Sequence, residues 1–279
     1  MIESVERYPI SLRPQFSSDW PEDWKDSYHY DLVEVWDDKS NPGYSWSYRN
    51  RRAATIESIL AICSPPARIL DLAAASGNFS IALATLGYDV TWNDLRGHLI
   101  DYVRLKLPSS VDVAFVGGNI FDLGEEYRQK FDVVLATEVI EHVAHPDQFL
   151  RKLSTFVRPK GHVIITTPNG AYFLNRLPRF SDHPDPSAFE HVQFKPNSDG
   201  HIFLLYEDEV LSLAHKAGLT VEHLDLITNP LTSGHIKLRY LHPFIPSRAL
   251  CAIEGGSRRL PRALRSRLSS HIVATLKRS

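Results

Sequence analysis

Between residues 68 and 167 short apolar runs alternate with segments of helical spacing, and this rhythm leaves few architectures open. Residues 68–72, 89–92, 111–116, 131–136 and 162–167 read as buried strands, and residues 79–86 and 99–107 as helices between them. Residues 138–157 carry Val139, Ile140, Val143, Phe149, Leu150, Leu153 and Phe156 at helical spacing, and Pro159-Lys160-Gly161 ends that helix. Strands that return through helices make right-handed βαβ units, so the expected fold is α/β with a parallel sheet. A helix over 207–217 and a strand over 219–227 continue the pattern, and residues 271–276 read as a final strand.

Around this core lie less regular stretches. Residues 1–45 read as an irregular arm with one short helix around 31–36, followed by a helix over 48–62. The arm's aromatic residues (Trp20, Trp24, Tyr28, Tyr30, Trp36) are too numerous for a solvated tail, so it is expected to pack on the domain or cover a pocket. Residues 170–200 are too long for an ordinary connection and read as a lid or substrate loop. Residues 229–268, broken by four prolines, read as an insertion before the final strand. The net charge of −2 argues against a general polyanion binder. From Arg248 onward, seven Arg and one Lys stand against Glu254, a basic tail suited to a solvated face or to peripheral contact with an anionic membrane surface. Two cysteines without ligand spacing, no apolar signal segment and no apolar run of membrane-spanning length lead to the expectation of a cytoplasmic protein.

The first strand ends in Asp71, and the small residues Ala73-Ala74-Ala75-Ser76-Gly77 follow before a helix. Small residues let backbone approach a ligand, and the helix start offers free N–H groups. Asp94 ends the next strand about twenty residues later, where a carboxylate accepts from both hydroxyls of a ribose. Asn119-Ile120 follows the third strand, in position to frame an adenine edge. This pattern resembles the class I S-adenosylmethionine-dependent methyltransferases, with Asp71-x-Ala73-x-Ala75-x-Gly77 standing where that family has D-x-G-x-G-x-G. The resemblance implies a Rossmann-like, doubly wound, seven-stranded sheet whose last strand is antiparallel, within one methyltransferase domain over 46–279. It further implies S-adenosyl-L-methionine as cofactor, with Asp71, Ala73, Ala75 and Gly77 at the methionine end, Asp94 at the ribose and Asn119 and Ile120 at the adenine.

Glu138-Val139-Ile140-Glu141-His142 lies at the exit of the fourth strand. On a helix, Glu138, Glu141 and His142 share one face, and two carboxylates with an imidazole there suit a divalent cation. With the later Thr167-Pro168-Asn169, the segment resembles ubiquinone-biosynthesis O-methyltransferases and the RNA 2′-O-methyltransferases of small-RNA 3′ ends. That likeness implies Mg, Mn or another divalent metal held by Glu138, Glu141, His142 and His201, with His183 and His191 as weaker ligand candidates. A metal-free alternative uses His142 as general base, with Glu138 and Glu141 shaping the pocket, and a purely structural role is also open. His145, beside Pro146, reads as a solvated helix break. The leading expectation is O-methylation of a small-molecule, sugar or phenolic hydroxyl, on a vicinal diol. RNA 3′-end methylation and non-catalytic cofactor binding are the alternatives, the former weakened by a near-neutral core.

Overall fold

The computed structural model describes residues 8–36, 40–193, 200–235 and 244–279. Two helices, α1 (Glu22–Glu34) and α2 (Pro42–Ile62), precede the sheet. Then follow β1 (Arg68–Leu72), α3 (Asn78–Thr85), β2 (Asp89–Asp94), α4 (Leu99–Lys106), β3 (Ala114–Gly117), β4 (Phe131–Thr137), α5 (Pro146–Phe156) and β5 (Val157–Pro168). The chain ends in α6 (Glu207–Lys216), β6 (Leu219–Ile227), α7 (Ser247–Ser257), α8 (Arg262–Leu268) and β7 (His271–Arg278). The sheet has seven strands in the order β3-β2-β1-β4-β5-β7-β6. β1 to β5 pair in parallel, and β7 lies antiparallel between β5 and β6.

Alternation along the strands builds two cores. Leu70, Val134 and Ile165 point into the layer that packs α5 and α6. Ile69, Val133 and Ile164 point into the layer made by α2, α3 and α4. Strands covered on both faces read as near-continuous apolar runs, which is why they stand out in the sequence. Strand order reverses between β1 and β4, and a ligand crevice belongs at the carboxyl ends of strands at such a point.

Four expectations need correction. The helix over 138–157 does not start at Glu138. β4 ends at Thr137, Glu138 takes a left-handed φ of 53°, residues Ile140–His142 make a short 3-10 turn, and α5 starts only at Pro146. The cause is Pro146: its ring disfavours helical backbone at His145, while its fixed φ and missing N–H suit the first position of a helix. Glu138, Glu141 and His142 therefore do not form a helical face. In the arm, the short helix expected around 31–36 is the 13-residue α1, nine residues earlier in its start. α2 begins at Pro42, capped by the Asn41 side chain, so a boundary at residue 45 falls inside a helix. Finally, the Pro159-Lys160-Gly161 break lies within β5, where the pairing passes from Phe131↔Val157 directly to Val133↔His162.

The arm's aromatic residues pack as expected of a docked segment. Trp20 and Trp24 stand edge-on or tilted against Tyr102 of α4, at 5.9 and 5.8 Å between ring centroids, and Trp36 packs on Tyr28 at 5.3 Å. Tyr30 is the exception and stays exposed. α7 and α8 fill the expected insertion. Three arginines of this segment are paired inside the chain: Arg258, which caps α7, and Arg265 pair with Asp225, and Arg262 with Glu207. Among the described residues no helix is long and apolar enough to cross a membrane.

Candidate functional site

The loop between β1 and α3 is shaped by three left-handed residues. Ala73 has φ 51°, Ala75 46° and Gly77 72°. At Gly77 a Cβ would also lie 2.8 Å from Val103 Cγ1, so glycine is needed there on two counts. The two alanines hold a conformation that favours glycine, at a cost of about 1 kcal/mol each. The loop is tied to β2: Ala74 N donates to Asn93 O, and Ala75 N donates to Asp94 Oδ2 at 2.8 Å. Asp94 Oδ1 accepts from Arg96 N at 2.8 Å. Restoring the glycines should relax the loop. Ala73→Gly and Ala75→Gly are each expected to change stability by less than about 1 kcal/mol, favourably where strain outweighs the added freedom of the unfolded chain. A urea titration checks this; a loss above 2 kcal/mol at either position would show the alanine methyl to be packed rather than strained.

Asp71 lies beneath the loop. It is 1% exposed, its Oδ2 accepts from Ser80 Oγ at 2.6 Å, and its Oδ1 has no hydrogen-bond partner. Burial pushes its carboxyl up to about 7 against the opposing Ser80 hydrogen bonds, and the charge of Asp94 adds to the rise. It anchors the start of α3 and does not line the crevice.

Three connected cavities follow the carboxyl edge of the sheet. One of about 780 Å³ is lined by the Ala73–Ser76 loop, Asp94 and α1 residues Asp23 and Asp26. It continues past Ala73 and Val139 into a smaller one of about 300 Å³ bordered by Gly118, Asn119, Ile120 and Phe149. Asn119 also caps the following turn, accepting from Phe121 N at 3.0 Å. A third cavity of about 1030 Å³ opens on the other side. Glu34, Arg51, Glu138 and His142 line both it and the loop cavity, and so mark the passage between them.

Beside this passage the structure brings together Glu141, His142 and His201, whose donor atoms lie within 4.8 Å of one another; His142 lines both cavities, His201 the larger one, and Glu141 lies buried behind them. Glu141 is fully buried. Its Oε2 accepts from Thr167 Oγ1 at 3.0 Å, while its Oε1 has no hydrogen-bond partner and lies 4.0 Å from His142 Nε2 and 3.9 Å from His201 Nε2. Burial first, then the charge of Glu138, push the Glu141 carboxyl well above the usual carboxylate range. His201 is delivered by Ile202 N, which donates to Glu141 O at 2.8 Å. Over this corner pack Phe180, Phe189 and Phe203, and His145 pairs with Glu190 at 2.7 Å.

Glu138 is not part of this donor set. Because its backbone is left-handed, its side chain turns away: Oε1 accepts from Thr166 Oγ1 at 2.8 Å, and Oε2 lies 3.2 Å from Arg51 Nη1. Burial opposes its ionisation, but Arg51, His271 and Thr166 override this and hold the carboxyl below its ordinary value. Of the weaker ligand candidates, His183 stacks on Phe189 and Phe203, and His191 is exposed on a turn; neither joins the cluster.

Sequence reasoning missed Arg51 and His271. Arg51 Nη1 lies 3.4 Å from His271 Nε2, which therefore accepts; Nδ1 then donates to Ser270 Oγ at 2.8 Å, and Ser270 Oγ donates to Thr228 O. Burial holds His271 down at about 4, so it is neutral at pH 7. One signal was available for Arg51: it sits on the same face of α2 as Tyr48 and Thr55, a buried stripe where a charge needs a partner. His271 opens a strand and carries no local signal.

Residues 45–224 match the family described as a methyltransferase domain. Ubiquinone biosynthesis O-methyltransferase of Proteus mirabilis is 30% identical over 40% of this chain and 51% of its own length. The protein of the same name from Xanthomonas campestris pv. campestris is 36% identical over 42% of this chain and 47% of its own. The chain thus spans about half the length of the curated relatives it matches. Among solved structures, an S-adenosylmethionine-dependent methyltransferase of Mesorhizobium loti superposes with a TM-score of 0.53 at 14% identity, covering 81% of this chain and 97% of that one. One from Methanosarcina mazei gives 0.51 at 14% identity, covering 79% and 96%. At these identities the superpositions establish the fold, and the family match across residues 45–224 makes this chain a member of the methyltransferase-domain family.

Proposed function

We propose that the chain transfers the methyl group of S-adenosylmethionine to a hydroxyl oxygen of a small, polyhydroxylated molecule such as a sugar or glycolipid headgroup, assisted by a divalent cation. The observation that carries this reading is the buried, unpartnered Glu141 Oε1 facing two imidazole nitrogens at about 4 Å, beside the passage between the cofactor and substrate cavities. A carboxylate and two imidazoles suit Mg, Mn, Fe or Zn, and a buried acceptor without a donor fits a cation. The 1030 Å³ cavity supports a hydroxylated substrate. Polar side chains, among them Tyr44, Tyr172, Asn169, Asn175 and His235, line much of its wall, held in place by hydrogen bonds within the chain.

The chemistry is a displacement. The hydroxyl oxygen supplies the electron pair of the new C–O bond, the sulfonium sulfur keeps the pair of the broken S–C bond, and the hydroxyl proton must leave. Of the bases near the passage, Glu138 is held low by Arg51 and His271 is held at about 4 by burial, while burial pushes the Glu34 carboxyl up to about 7 and leaves its Oε1 accepting from Tyr44 OH. Glu141, His142 and His201 would hold the cation, which would lower the pKa of the hydroxyl. In this reading Glu138 then accepts the proton, Arg51 keeps Glu138 ionised and oriented, and the 170–200 segment closes over the bound substrate. Slower proteolysis of that segment with cofactor and substrate both present tests the closure, and unchanged cleavage removes it.

Elemental analysis is expected to find one divalent ion per chain. Exhaustive chelation should abolish turnover, Mn or Mg should restore it, and metal affinity should fall as the pH is lowered, because the donors bind deprotonated and the Glu141 carboxyl holds its proton above the usual carboxylate range. Full turnover by metal-free protein would transfer the role to His142 as a general base.

A further inference from the structure

The N-terminal helix enters the cofactor site through one buried carboxylate. Asp31 of α1 is fully buried, and both its oxygens are saturated. Oδ1 accepts from Ser76 Oγ at 2.9 Å and from Asn78 Nδ2 at 2.6 Å; Oδ2 accepts from Tyr102 OH at 2.8 Å and from Lys106 Nζ at 2.6 Å. Lys106 is itself fully buried and also donates to Asn78 Oδ1 at 2.8 Å. The network is charge-neutral and closed, a condition under which buried polar groups rigidify their surroundings. Ser76 and Asn78 lie at the end of the cofactor loop and at the first turn of α3, and both line the 780 Å³ cavity; Asp31 itself does not. The helix is placed to matter. Its row Asp23, Asp26, Tyr30 and Glu34 borders the cavities, while the adjacent row Trp24, Tyr28 and Asp31 packs inward. Near its start, Asp23 pairs with His98, in the segment between Asp94 and α4.

We propose that Asp31 is a positioning residue of the cofactor site: by accepting from Ser76 and Asn78 it holds the loop after β1 in its binding shape and makes cofactor affinity depend on the docking of α1. The proposal rests on the S-adenosylmethionine reading of the loop cavity, yet concerns a residue that no nucleotide-loop motif includes. Coupling of this kind is reciprocal, so a bound cofactor must also hold α1 in place.

The test uses S-adenosylhomocysteine, calorimetry and hydrogen exchange on the full chain. Asp31→Asn is expected to raise the dissociation constant about tenfold or more, within the usual range of coupling between sites. Turnover at saturating cofactor should stay within about twofold, because Asp31 touches neither cavity. Tyr102→Phe removes a hydrogen bond from the opposite oxygen of Asp31 and leaves the loop contacts in place, so it controls for general loosening and should leave the constant within about twofold. In the unmodified protein, whatever the fate of the variants, S-adenosylhomocysteine should slow amide exchange across Glu22–Glu34. Unchanged exchange there, an unchanged constant in Asp31→Asn, or an equal loss in Tyr102→Phe overturns the proposal. An unmodified protein that binds no S-adenosylhomocysteine overturns the cofactor reading itself, and this inference with it.

Discussion

Glu141→Gln is expected to lower turnover by about 10²-fold or more, because the cation that would lower the pKa of the hydroxyl loses its carboxylate ligand. The substitution keeps the side-chain volume, and the amide oxygen can still accept from Thr167 Oγ1, so the corner between β4 and α5 should persist. What changes is the oxygen that faces His142 and His201: it becomes part of a neutral amide, a poor cation ligand in place of a carboxylate. Metal content should fall to near zero in the same preparation, while affinity for S-adenosylhomocysteine stays within about threefold, since Glu141 does not line the loop cavity. Retained turnover with lost metal would separate the ion from the chemistry; retained metal with lost turnover would make Glu141 an acid–base group.

Lys106→Met is expected to destabilise the fold by about 3–5 kcal/mol, read as a lower urea midpoint at unchanged slope. Methionine fills nearly the same space, so the loss is electrostatic: Asp31 stays buried with its three neutral donors and no cation. Burial already lowers the Lys106 ammonium's pKa, with Asp31 opposing that fall, so the pair is held against a desolvation penalty on both partners. A loss below about 1 kcal/mol would mean that Ser76, Asn78 and Tyr102 alone satisfy the carboxylate.

The sheet was legible because its strands are buried on both faces, and Ile69-Leu70, Val133-Val134 and Ile164-Ile165 each feed two cores. The loop between β1 and α3 was legible from Gly77 and Asp94, because its turn and its tie to β2 depend on a short stretch of chain. The β4–α5 corner was not. Val139, Ile140 and Val143 continue the helical spacing of α5 and are buried, as a helix would require, but they reach the core from a turn. The decisive residue was Pro146, whose effect falls on the residue before it. α1 was missed because its inward row mixes Trp24 and Tyr28 with Asp31, a charge that reads as solvated until Lys106 is placed beside it. The passage between the cavities collects residues from α1, α2, the β4 exit and β7, and no local spacing announces such a convergence.

β7 lies between two strands that precede it in the chain, so the sheet is complete only when this last strand is in place. Among the described residues β6 pairs with β7 alone, so β6 is joined to the rest of the sheet only through residues 271–278. Without them β5 is a bare edge carrying Val163, Ile164 and Ile165, an exposed template for pairing between chains. The same strand delivers His271 to Arg51 and Glu138. A chain cut before residue 271 would therefore lose a wall of the 1030 Å³ cavity and the closure of its sheet in one step, leaving β5 as an exposed edge.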